Sequence, residues 1–129
     1  MKILIATDGL PPATHAMHEA TRLLVTQGAE ILLVSVLDPE LRVSNLDAEK
    51  DLQDGIALLK THGIEARSEV LRGPYADAIV AKAEELHADV VVVGHERSGR
   101  LVQLLLGSVA TEVVRRFSGA VLVVPYRSH

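Results

Sequence analysis

The feature that most constrains this chain is the regular exchange of two kinds of segment. Short runs rich in β-branched and aliphatic residues recur at Ile3-Leu4-Ile5-Ala6, at Ile31 to Val36, more weakly at Ala66 to Leu71, at Val90 to Val93 and at Val121 to Val124. Between them lie stretches whose apolar residues repeat with helical period. Residues 12–28 place Ala13, Ala16, Met17, Ala20, Leu23 and Leu24 on one face. Residues 46–62 do so with Leu52, Ile56 and Leu59, residues 75–87 with Ala76, Ile79, Val80, Ala83 and Leu86, and residues 107–117 with Val109, Ala110, Val113, Val114 and Phe117. Nearly unbroken aliphatic strands are buried on both faces, and strands separated by helices run parallel with right-handed crossovers. The expected fold is α/β: one three-layer domain over residues 1–129, a parallel five-stranded sheet with helices on both faces. Gly28, Gly63 and Gly119 are expected to end helices.

Composition narrows the classes further. At 129 residues the chain is one domain, and 48% hydrophobic residues supply a core. That core is aliphatic, because Phe117, Tyr75 and Tyr126 are the only aromatic residues. Without cysteine, disulfides and thiolate chemistry are excluded. No apolar run reaches the length of a membrane span, so a soluble, cytoplasmic protein without membrane insertion is expected. The net charge of −4 argues against a nucleic-acid partner. Residues 93–129, however, carry five arginines against two acids, a local excess suited to one phosphorylated ligand.

An open parallel sheet binds ligands beyond the carboxyl ends of its strands, where strand order reverses. The first such end is Thr7-Asp8-Gly9, followed by Leu10-Pro11-Pro12, and it lacks the glycine pattern of a dinucleotide turn. Asp8 there has two readings, an acceptor for ribose or adenine and a turn former or helix cap. The fourth strand leads into VVVGHERSGRLVQLLLGSV, residues 91–109. Gly94-x4-Gly99-Arg100-Leu101 departs from a P-loop, since Arg replaces Lys and Leu101 has no hydroxyl for magnesium. What remains is a glycine-bearing strand-to-helix turn in which Gly107 and Ser108 open the last helix. Exposed amides and the positive helix end favour an anion there, and Ser108 can alternatively cap its own helix. His15 and His18, three apart on the first helix, are read as solvated surface residues rather than metal ligands. His62 and His87 are read as helix-end residues. Tyr75 is expected to cover the first turn of the third helix.

Gly94 with Gly107-Ser108 matches the G-x2-G-x9-G-[ST] pattern of nucleotide-binding universal stress proteins, except that Arg97 stands at the second glycine. ILIATDG at 3–9, SVLDP at 35–39, RGPYADAIVAKAEELHADVVVVG at 72–94, LLLGSV at 104–109 and AVLVVP at 120–125 resemble that family's blocks in order. The resemblance implies the strand order 3-2-1-4-5 of the adenine nucleotide alpha hydrolase-like fold. It implies a dimeric ATP-binding module of stress response or signalling with little or no catalysis; the alternative is a non-nucleotide-binding family member acting as a dimeric interaction module. It places adenine and ribose against Ala6, Thr7, Asp8 and Val36. It places phosphates among Val93, Gly94, Arg97, Gly107, Ser108 and Val109, with Mg2+ held through the phosphates. Arg97 either obstructs that site or clamps the phosphates, and clamping is the preferred reading. The fifth strand is expected at an edge, stopped by Pro125 and paired antiparallel with its copy in a homodimer. A further protein partner is expected and unidentified.

Overall fold

A computed structural model describes residues 1–39, 45–97 and 108–127. Nine elements follow in strict exchange: β1 (Lys2–Ala6), α1 (Pro11–Leu23), β2 (Glu30–Leu37), α2 (Asn45–Thr61), β3 (Arg67–Arg72), α3 (Tyr75–Leu86), β4 (Val90–Arg97), α4 (Ser108–Arg116) and β5 (Ala120–Arg127). The strands form one parallel sheet in the order β3-β2-β1-β4-β5. Class, element order and strand order agree with the sequence reading.

Side chains alternate along each strand and divide the core in two. Leu4, Leu32, Val34, Val36, Val91 and Val93 point to one face and pack with Ile79, Val80 and Ala83 of α3 and Ala110 and Val113 of α4. Ile3, Ile5, Ile31, Leu33, Val90 and Val92 point to the other and meet Ala16, Met17 and Ala20 of α1 and Leu52 and Leu59 of α2. On β5, Val121 and Val123 join the first cluster, and Leu122 and Val124 join the second. This is the three-layer sandwich expected of near-continuous aliphatic strands.

Several boundaries differ from expectation. The first helix stops at Leu23, not at 28, where the Leu24 amide donates to the Ala20 carbonyl. Val25 and Thr26 are β-branched, and residues 26–29 instead form a turn in which the Ala29 amide donates to Thr26 O at 3.0 Å. Gly28 (φ +77°) serves that turn rather than the helix end. Gly119, unlike Gly28, is not left-handed. A Cβ there would lie 2.6 Å from the Phe117 ring, so its bare Cα makes room for an aromatic side chain. The left-handed residue that ends α3 is His87 (φ 54°), whose amide donates to Ala83 and Glu84.

The largest correction concerns β4 and β5. Both run on together, in register from Gly94↔Val124 through His95↔Pro125 to Arg97↔Arg127. Pro125 therefore does not stop the fifth strand. Proline is tolerated in an edge strand where its missing N–H faces away from the ladder. By the same pairing, Gly94 lies inside β4 and not at its tip.

Candidate functional site

The reversal of strand order falls between β1 and β4, and the carboxyl ends there are built from the turn after β1. Thr7 is buried, and its amide donates to Val34 O at 2.9 Å, extending the pairing one residue past the strand. Its Oγ1 accepts the Gly9 amide at 3.1 Å, and Asp8 Oδ1 accepts the Leu10 amide at 3.0 Å. Asp8 is thus a turn former, bonding two residues on. It does not cap α1, whose N-cap is Leu10 with no side-chain bond. Gly9 takes φ +77° beneath the Asp51 carboxylate, into which a Cβ would run.

Helix α1 offers almost nothing to an anion. Pro11 and Pro12 occupy its first positions and carry no N–H, while the amides of Ala13 and Thr14 both donate to Leu10 O at 3.1 Å. Its first turn also lies hard against β4. A Cβ on Gly94 would be 2.5 Å from the Pro12 carbonyl oxygen and 3.1 Å from the Ala13 nitrogen. Gly94 is required here because a helix backbone crosses the strand at that residue.

Between these walls lies a cavity of about 110 Å³. Its apolar floor is Val34, Val36, Ile79 and Val93, its rim holds Asp8 and Tyr75, and Ala6, Thr7, Pro12, Ala13, Gly94 and Val109 complete it. Of the residues singled out in the sequence, Ala6, Thr7, Asp8, Val36, Val93, Gly94 and Val109 are brought together here. Gly107 lies outside the described residues, as do the side chains of Arg97 and Ser108. The backbone of Arg97 is placed three residues beyond Gly94 on the same strand, roughly 10 Å farther along at strand rise. Ser108 begins α4.

Pro12, Ala13, Val34, Tyr75 and Ile79 line the cavity and were not picked out as ligand contacts. Tyr75 opens α3 and turns its ring into the cavity wall, half-buried. Burial, and after it the carboxylates of Asp8, Asp51 and Asp38, push its phenol upward from the ordinary value. Asp51 of α2 is likewise pushed up, first by burial and then by Asp8 and Asp47. The β1 and β2 tips at the cavity therefore lie in a negative field from Asp8, Asp38 and Asp51. Among the described residues no group of three or more His, Asp or Glu side chains could hold a metal ion.

The comparisons with known proteins now bear on this geometry. A model of the universal stress protein family matches residues 1–125. The chain belongs to the universal stress protein family. Universal stress protein MJ0531 of Methanocaldococcus jannaschii is 33% identical over 95% of this chain and 81% of its own length. Two solved structures show the same fold. One is a universal stress protein in complex with cAMP, at TM-score 0.75 and 23% identity over 96% of both chains. The other is a universal stress protein family protein from Arabidopsis thaliana with AMP bound, at TM-score 0.75 and 20% identity over 99% of this chain and 92% of that one. No helix among the described residues of this universal stress protein is long and apolar enough to cross a membrane.

Proposed function

We propose that this universal stress protein binds an adenine nucleotide, ATP or a relative of it, as a small dimeric module of stress response or signalling with little or no catalysis. The cavity at the strand-order reversal carries the reading. Its apolar floor of Val34, Val36, Ile79 and Val93 suits a planar base, and Asp8 at the rim suits a ribose hydroxyl or an adenine amino group. Support also comes from relatives of the same fold that were solved with cAMP and with AMP.

The orientation of the ligand follows from charge. The α1 terminus has no free first-turn amides, and the β1–β2 side holds Asp8, Asp38 and Asp51, so phosphates are turned away from both. They are directed to the start of α4, where Ser108 and the amides of 107–109 would receive them at the positive helix end. Arg97 would clamp them from β4. With no protein group of three metal ligands among the described residues, Mg2+ would be held through the phosphates themselves. What the ion supplies when bound is charge neutralisation. The protein's own residues seat the base and orient the ribose.

Calorimetric titration with ATP, AMP and cAMP tests the reading, with magnesium present. Binding by at least one of them, weakened tenfold or more by Arg97→Ala, is the expected result. Absence of heat and of thermal shift at millimolar nucleotide overturns it and leaves the dimeric interaction module. The dimer rests on β5, an edge strand paired only with β4, on which Val121, Leu122 and Val123 remain partly exposed. A second copy adding its β5 antiparallel would cover that edge. Light scattering across a dilution series reads it, and a 13.9 kDa species at high micromolar concentration would exclude it. We place the protein in the cytoplasm, in keeping with its lack of cysteine, and a further protein partner is part of the proposal.

A further inference from the structure

Helices α1 and α2 meet at a pair of histidines separated by 44 positions in the chain. His18 Nδ1 lies 2.9 Å from His62 Nε2, with the rings edge to face at 72° and their centroids 5.1 Å apart. His15, the helix neighbour of His18, is occupied elsewhere, its ring tilted against Tyr126 at 5.6 Å. His15 and His18, read from the sequence as solvated surface residues, thus each meet another ring, and the pair that forms is His18 with His62.

Thr21 orders this pair. Its hydroxyl donates to the His18 carbonyl at 2.7 Å, so towards the His62 Nδ1, 3.5 Å away, it presents a lone pair. That arrangement favours the proton on His62 Nδ1 and leaves the Nε2 lone pair free to act as an acceptor or a ligand. A hydrogen-bond partner on the far nitrogen is how metal-ligating histidines are ordinarily held. The nearby Glu19 carboxylate is engaged by Arg22, at 2.8 and 2.9 Å.

We infer that His18 and His62 form a two-histidine chelate for a divalent transition-metal ion, joining α1 to the end of α2. Imidazole nitrogens favour copper, nickel and zinc over magnesium. The present 2.9 Å is a hydrogen-bond separation that keeps the two nitrogens adjacent, and the intrinsic order of the divalent ions at nitrogen donors sets the preference among them. Binding then requires a change of tautomer at His18 and a rotation of each exposed ring, so that both lone pairs converge on the ion. Water fills the remaining positions, because no third His, Asp or Glu among the described residues completes the set. The expected order is Cu2+ first, then Ni2+, then Zn2+, with Mg2+ unbound.

Titration of the chain with CuCl2, NiCl2, ZnCl2 and MgCl2 in a non-coordinating buffer at neutral pH tests this without any nucleotide. One Cu2+ per chain is expected, with nitrogen hyperfine structure from two imidazoles in its electron paramagnetic resonance spectrum. His18→Ala and His62→Ala should each lower Cu2+ and Ni2+ affinity at least tenfold, and His15→Ala should leave both unchanged. Both residues are exposed, and thermal melts of the metal-free variants check that folding is retained. Copper binding that survives either substitution, a spectrum with fewer than two imidazole nitrogens, or no binding at millimolar metal overturns the assignment.

Discussion

The two faces of the sheet are equipped alike, each with two helices and one aliphatic cluster, yet only one of them opens into the cavity at its carboxyl end. On the α1/α2 face the helices come down hard on the strands. The Pro12 carbonyl sits over Gly94, and Gly55 of α2 sits over Leu33, where a Cβ would fall 2.5 Å from Leu33 Cδ2. On the α3/α4 face the helices pack on the strands and are also tied to one another. Arg116 pairs with Asp77, and Glu84 accepts the amide and hydroxyl of Ser118 at 3.0 Å. Those bonds join the two helices, and the cavity lies among Val36 of β2, Val93 of β4, Tyr75 of α3 and Val109 of α4. Glycine at a crossing lets a helix close down on a face. The difference lies in where the missing side chains are.

Restoring a side chain at the tightest crossing should do the most damage. Gly94→Val places carbon against a backbone carbonyl that cannot move alone, and about 3 kcal/mol of stability should be lost in chemical denaturation. Filling the open face acts on binding as well as on folding. Val36→Phe projects a ring toward the cavity and should weaken adenine nucleotide binding at least tenfold by calorimetry, about 1.4 kcal/mol, and because Val36 is buried it should also cost about 1 kcal/mol or more of stability. Gly55→Ala tests the second crossing. Helix propensity alone would make it stabilising, but contact with Leu33 should reverse the sign to a loss of about 1 kcal/mol. In a double-mutant cycle with Leu33→Val the loss should disappear.

The smallest effect concerns Asp51, and its sign is set by the direction of its shift. Its folded pKa is raised above the ordinary 3.8, chiefly by burial, so the charged form is disfavoured by folding. The penalty is absent below the unfolded pKa and complete above the folded one, and stability falls as pH rises between them. Asp51→Asn should therefore raise stability at pH 7 by roughly 0.5 kcal/mol and leave it unchanged at pH 3, as read by urea denaturation at the two pH values.

Strand order and layers could be read from the chain because aliphatic periodicity and the resemblance to a family pointed the same way. The reach of β4 and β5 could not. Gly94, Glu96, Arg97 and Pro125 each argue against a strand in isolation, and only their mutual pairing extends both to Arg97 and Arg127. Gly94 was marked by its spacing, as part of a phosphate turn. Its local necessity is a helix crossing, which depends on where α1 lands and leaves no periodic trace. Pro11 and Pro12 announced a turn, but their consequence, an α1 terminus emptied of donors, appears only once the first-turn amides are traced. Tyr75 was legible as the first residue of a helix, and its place in the cavity wall depends on how α3 meets the sheet. The approach of His62 to His18 carried no local signal at all.

The placement of the two tyrosines gives the protein a pair of built-in optical reporters. There is no tryptophan to mask them. Tyr75 faces the cavity, so its emission is sensitive to a base entering beside it, while Tyr126 lies on the edge strand β5 against His15 and senses that border of the sheet. With Tyr75→Phe and Tyr126→Phe the two signals separate. Occupancy of the pocket and events at the edge can then be followed in the same solution, without attaching a dye to a chain that has no cysteine to carry one.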